Sequence, residues 1–384
     1  MANMRFRDLL LLTCFLASPG LAIQPERLPA TGWEGSQFLQ ADRAGNLFLL
    51  RTGPLDVYPV GKSGAPGKPV RLEATSTATG SIREAAMSPS GDRWFLLSGV
   101  TVRLFEDGKE EVLPPLEWKP WSLTLLRETP IVAAVPFPLG GRAADPKRAG
   151  DPPWLLESDG ERWRSMIDLK GVSVADLFEN GGMNDVIAKN SVVMAGDRLG
   201  RLWAARQYGY RVQRFTPGGR LLLEITVGQG KIRQKEESRG IEIKLKGGEL
   251  GSGDATQDPQ RRPKATYYPF TAERVIYGFT EGRDGKMYFL VDTGAGSASL
   301  DRFDSTRSVL ERIPIQVPLK DTFTLAAGKD ALYLASWEAK QGSWRISWEE
   351  LDAAPWKPVK GARIDGFAPE HPAGCFRALA RAGP

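Results

Sequence analysis

A single histidine, His371, stands beside Pro372 in this sequence of 384 residues. Histidine is the side chain whose ordinary pKa suits proton transfer near neutrality, so a Ser–His or Cys–His relay would rest on that one residue. Zinc or copper held by His and Cys is unsupported for the same reason, because the only cysteines are Cys14 and Cys375. Gly61-Lys62-Ser63-Gly64-Ala65 fails the nucleophile-elbow pattern at its last position. It also fails the phosphate-loop pattern at Asp56, where an upstream glycine would stand. Gly228-Gln229-Gly230 and Gly294-Ala295-Gly296 lack the third glycine of a dinucleotide loop. Oxygen-ligand chemistry survives, since Asp, Glu and Asn are plentiful and can hold calcium or magnesium.

The elements that would position such residues come from one recurring unit: an apolar strand, a turn with Asp or Ser ahead of Gly, and a second apolar strand. Gln37 to Ala41, Asp42-Arg43-Ala44-Gly45 and Asn46 to Leu50 form one copy. Glu84 to Met87 with Ser88-Pro89-Ser90-Gly91, Val192 to Ala195 with Asp197-Arg198-Leu199-Gly200, and Tyr277 to Thr280 with Gly282-Arg283-Asp284-Gly285 form three more. Glycine accepts the positive φ of a tight hairpin and Asp or Ser bonds the turn backbone, so each unit predicts a hairpin. Two weaker copies, around Leu123 to Ala134 and Phe323 to Leu334, bring the number to about six. A second hairpin usually follows, as in Val102 to Phe105, Glu106-Asp107-Gly108-Lys109, then Glu111 to Leu113. Two hairpins per repeat predict a four-stranded blade.

These units resemble the six-bladed propellers of the NHL-repeat and lactonase-like superfamily, over most of residues 33 to 350. Asp42-x-x-Gly45 and Asp197-x-x-Gly200 match that turn well; Ser88-x-x-Gly91 and Gly282-x-x-Gly285 match it in part. The expected fold is an all-β, six-bladed β-propeller, with seven blades or another β architecture as alternatives. The resemblance implies a metal at the mouth of a central channel, though no ligand motif of that superfamily can be matched residue by residue.

In a propeller the inner strands begin near one end of the channel, so residues about eight or nine before each turn glycine should line it. Counting back reaches Arg83, Trp121, Asn190, Tyr277 and Asp321, with Glu84 beside them. Arg83 could bond an anion or carbonyl, Trp121 and Tyr277 could stack on a flat face, and Asn190 could fix polarity. The same residues could instead merely close the channel. Asp321, Glu84 and Asn190 are the candidate oxygen donors should a calcium ion bind; otherwise no metal or cofactor is expected. The preferred expectation is a non-catalytic binding or scaffold protein, and the alternative a metal-dependent hydrolase of lactonase type.

Arg5 and Arg7 precede the apolar run Leu9 to Ala17 and the small-residue exit Ser18 to Ala22, the layout of a signal peptide over residues 1–22. A secreted or periplasmic protein is therefore expected, with a propeller over 23–360 and a tail or ring-closing segment over 361–384. The run is too short to span a membrane, and no later stretch is long enough. Without the leader one cysteine remains, so an ordinary apolar core must supply stability. The net charge of +5 is small against 51 basic and 46 acidic side chains, and no nucleic-acid partner is expected. A protein, glycan or small-molecule partner stays open, and a monomer is expected. A charged segment, about 229–266, interrupts the repeats; it suits a solvated insertion or a partner-binding loop. Trp344, Ile346 and Trp348 alternate as in a last strand.

Overall fold

A computed structural model describes residues 22–29, 37–52, 54–73, 82–138, 151–169, 187–233, 241–244, 264–267, 272–294, 297–319, 323–336 and 342–366. Six antiparallel sheets of four or five strands follow one another along the chain. Their innermost strands are Gln37–Ala41, Ile82–Met87, Trp118–Leu126, Val192–Gly196, Ile276–Glu281 and Phe323–Ala327. Each inner strand touches those of its two neighbours, and the sixth meets the first, so the sheets form a ring. The protein is a six-bladed β-propeller.

The hairpins that the repeats predict join the inner strand of each blade to its second strand. In four of them a glycine takes the positive-φ position: Gly45, Gly91, Gly200 and Gly285. Each donates its N–H to the carbonyl three residues earlier, on Asp42, Ser88, Asp197 and Gly282 respectively. Asp42 Oδ1 accepts the Asn46 N–H at 2.7 Å, and Asp197 Oδ1 accepts those of Leu199 and Arg201. The Asp side chain thus bonds backbone donors that the turn would otherwise leave to water.

Apolar side chains on both faces of each blade close the seams between blades. Phe38, Leu50 and Val57 pack on Ile82, Trp94 and Leu96 between the first and second. Equivalent clusters fill the other five seams, ending with Leu39 and Leu49 against Ala326 and Tyr333. Burying each large side chain contributes about 1.5–3 kcal/mol. One seam also holds a buried polar network, in which Asp301 takes two bonds from Arg312 and one from the Tyr210 hydroxyl.

Ring closure comes from the front of the described chain. Glu26–Arg27 pairs with Ser343–Ser347 as the outermost strand of the sixth blade, and Glu26 forms an ion pair with Arg345. That last long strand stops at Ser347: Trp348, read as a strand residue from its alternation, opens the helix Trp348–Ala353. Ser347 caps this helix through the Glu350 N–H. Beyond it, Lys357–Pro358 adds a fifth strand to the fifth blade and Ala362–Asp365 a fifth strand to the fourth. Residues 357–365 therefore run along the outer edges of the fifth and fourth blades. In the inserted segment, Ile241–Lys244 pairs with Lys264–Tyr267 as a two-stranded sheet. Residues 1–21, 139–150, most of the insertion, Asp321 and 367–384 lie outside the described residues. No helix among the described residues is long and apolar enough to cross a membrane.

Candidate functional site

The inner strands surround a channel that divides into two spaces. The larger, about 580 Å³, takes wall residues from every blade and opens among the hairpin turns, where Arg43, Glu128 and Leu199 are exposed. Its polar wall is made by Gln40, Glu84, Ser122, Thr124, Thr280, Glu281 and Thr324, between apolar stretches that include Met87, Met194, Phe279 and Phe323. Glycine permits the tight winding here: a Cβ on Gly196 would lie 2.5 Å from the Leu125 carbonyl oxygen, and one on Gly278 2.8 Å from that of Phe323.

The smaller space, about 60 Å³, lies at the opposite end, where the inner strands begin. Phe38, Arg83, Glu84, Trp121, Ser122, Val193, Gln207, Phe323 and Thr324 line it. This end is plugged. Trp121 Nε1 donates to Gln207 Oε1 at 2.8 Å, and the Gln207 backbone bonds Ser191, Val275 and Ile276. Ala188, Tyr208 and Ala272 form a small apolar cluster there, with Trp121 and Ile232 against it. Arg233, at the front of the charged insertion, also belongs to the plug: its backbone bonds Tyr208 and Glu273, and its guanidinium reaches the Asp292 carbonyl.

Three inner strands carry a bulge near their beginning. Register shifts fall between Ile82 and Glu84, between Pro120 and Ser122, and between Ile276 and Gly278. The unpaired residues are Arg83, Trp121 and Tyr277. A bulge adds one residue against its partner strand and re-aims the side chains around it. Residue counting from the turns had reached these same three positions.

Glu84 and Ser122 line both spaces and so mark the waist between them. Burial pushes the Glu84 carboxyl up to about 8, against the opposing pull of the Arg274 guanidinium. Among the described residues it makes no hydrogen bond or ion pair. Ser122 is 3% exposed, and its Oγ has no hydrogen-bond partner. Burial also raises the pKa of Glu281, whose Oε2 accepts the Arg198 N–H at 2.7 Å.

The remaining sequence candidates lie elsewhere. Tyr277 packs edge-on against Phe323 beneath the Arg274 guanidinium; burial first, then the Asp292 charge, raise its phenol pKa. Asn190 is buried behind the inner strand, its carbonyl accepting Trp154 Nε1, and lines neither space. Asp321 lies outside the described residues. The three oxygen donors considered for a metal do not fit one as a set, since Glu84 faces the channel and Asn190 does not. No group of three His, Cys, Asp or Glu side chains suited to a metal occurs among the described residues. Ser122, Thr324 and Glu281 escaped the count because it stopped at strand beginnings.

Neither a protein-family model nor a curated protein matches this sequence. Solved structures share the propeller fold. Virginiamycin B lyase from Staphylococcus aureus aligns at 12% identity and a TM-score of 0.43, over 80% of this chain and 79% of that one. A gluconolactonase from Xanthomonas campestris aligns at 12% identity and 0.43, over 85% and 96%. A Bacteroides thetaiotaomicron protein of unknown function gives 9% and 0.46, over 85% and 75%. At these values the likeness is one of fold and carries nothing about activity.

Proposed function

We propose that this chain is an exported, non-catalytic binding protein that holds a small ligand in the propeller channel. The observation that carries the reading is the blind cup: a space of about 580 Å³ reached from the turns and stopped at the far end by Trp121 and Gln207. Volumes of roughly 300–1,000 Å³ with an apolar lining and a few polar groups suit small molecules. Its wall offers hydroxyls, one amide and the carboxyls of Asp42, Glu84, Glu128, Asp197 and Glu281. Export rests on the leader pattern at Arg5, Arg7 and Leu9 to Ala17.

Thr280 lines the large space and is partly exposed within it, so Thr280→Trp should fill the cup. Fragments that raise the melting temperature of the wild-type protein should fail to do so for this variant. Hits that persist in Thr280→Trp, or a library that yields none, would remove the channel as the binding site. Amino-terminal sequencing of protein recovered outside the cytoplasm should begin near Ile23.

A further inference from the structure

We infer that the waist of the channel, where Glu84 of the second blade meets Ser122 of the third, receives the ammonium group of a small arylalkyl- or alkylamine that enters from the turn end. This deepens the channel-binding reading and rests on it.

Three observations carry the assignment. First, the waist holds the Ser122 Oγ, buried and without a hydrogen-bond partner, beside the Glu84 carboxyl, which makes no hydrogen bond or ion pair among the described residues. Leaving a buried polar atom unmade costs about 1–3 kcal/mol, which a ligand donor at this point would recover. An ammonium carries three donors and no acceptor, so it can serve a carboxylate and a hydroxyl oxygen together.

Second, the surroundings are aromatic. Phe38, Trp121 and Phe323 line the small space with Glu84 and Ser122. Rings attract cations at their faces and the carboxylate supplies charge, while Phe279 and Phe323 line the large space where the hydrocarbon of the amine would lie.

Third, every basic side chain lining the large space, Arg43, Arg127 and Arg198, sits in the turns at the rim, where the carboxylates of Asp42, Glu128 and Asp197 accompany it. Arg198 is committed there, its guanidinium bonding the Gly282 and Arg283 carbonyls. Glu281 accepts the Arg198 N–H at the rim, and below it the ionisable group of the wall is Glu84. Arg83 and Arg274 are the charged groups facing Glu84 from the plugged end, and they stop a cation from passing the waist.

The chemistry balances simply. The carboxyl is desolvated and about half protonated near pH 8, so at neutral pH it resides mainly as the acid. An arriving ammonium converts it to carboxylate, the proton leaves to water, and one ion pair forms. A divalent metal is poorly served by one carboxyl and one hydroxyl, since calcium takes six to eight oxygens.

Calorimetric titration with 2-phenylethylammonium chloride and with 2-phenylethanol tests this, because the two have the same shape and differ in charge. At pH 7 the ammonium should bind at least about tenfold more tightly, a difference of about 1.4 kcal/mol. Its affinity should rise about tenfold per pH unit toward about pH 8 and level there, since one proton is displaced while Glu84 is protonated. The alcohol should show no such rise. Glu84→Gln should bring the ammonium to the alcohol's affinity and abolish the pH dependence; Ser122→Ala should weaken it by about three- to tenfold. Melting curves confirm that both variants are folded.

Equal binding of the two probes, or ammonium binding indifferent to both substitutions, overturns the amine assignment. If Thr280→Trp still abolishes that binding, the channel reading survives alone. Neither probe binding, while other fragments bind in a Thr280-dependent way, also overturns the amine class only. Stronger stabilisation by calcium chloride than by the amine, lost in Glu84→Gln, would replace it with a metal site.

Discussion

The two ends of the channel are built from different parts of the sequence. The turn end is made of the repeats themselves, where Gly45, Gly91, Gly200 and Gly285 adopt the same positive φ and make the same bond to the residue three places earlier. The other end is made of what does not repeat: the 187–191 segment, Gln207 and Tyr208, Arg233, and Ala272 to Val275. Repetition builds a ring and leaves a hole through it. Departures from repetition decide which end of the hole is shut and what chemistry remains at its waist.

This contrast can be broken most forcefully at the plug. Trp121→Phe keeps a ring in place but leaves the buried Gln207 Oε1 without its donor. The expected cost is about 1–3 kcal/mol, read as a lowered midpoint in urea, while the turn end keeps its fold. Loss of no stability would mean that the plug is held by other contacts.

Glu84→Gln acts in between. The native carboxyl holds its proton to about pH 8, whereas an unfolded one releases it near 4.5. Between these values the native state binds more protons, so wild-type stability falls as pH rises through that window. The amide has no such dependence. Relative to wild type, Glu84→Gln should gain on the order of 1–2 kcal/mol between about pH 5 and pH 8, a figure reduced for the water that the channel admits. Parallel melting curves across that range would show the waist to be well solvated instead.

The smallest effect belongs to the repeated end. Asp42→Ala removes a carboxylate that accepts two bonds from Asn46 at an exposed turn. About 0.5–1 kcal/mol should be lost, read as a small shift of the midpoint in urea. A loss as large as that at Trp121 would erase the distinction between the two ends.

The same division governs what could be read beforehand. Blade number and hairpins were legible because turn chemistry is local: Asp42, Ser88 and Asp197 each stand three residues before a glycine that must take positive φ. Arg83, Trp121 and Tyr277 were reached by spacing alone, and the bulges on which they sit leave no mark in the sequence. Asn190 was misplaced by the same count, because the segment before Val192 forms a short helical turn in the plug and departs from the inner strand's line. Ser122 and Glu281 follow from strand phase, and a bulge resets that phase. Trp348 kept a strand's alternation with Trp344 and Ile346, yet Ser347 and Glu350 form a capping box that starts a helix there. The closing role of Glu26–Arg27 was hidden by sequence distance.

That closing strand ties together the most distant parts of the described chain. Glu26 and Arg345 are separated by 319 positions, so their meeting is among the most non-local events in the chain. Neighbouring hairpins can form early, each from contacts close in sequence, whereas the sixth blade must wait for both ends of the ring to find each other. Until then Ser343–Ser347 presents a bare edge to any other strand nearby. Once the edge is paired, reopening requires the sixth blade to give up its outer strand before the seams on either side can separate. A two-residue strand from the far end of the chain is thus the latch on which the sixth blade's outer edge depends.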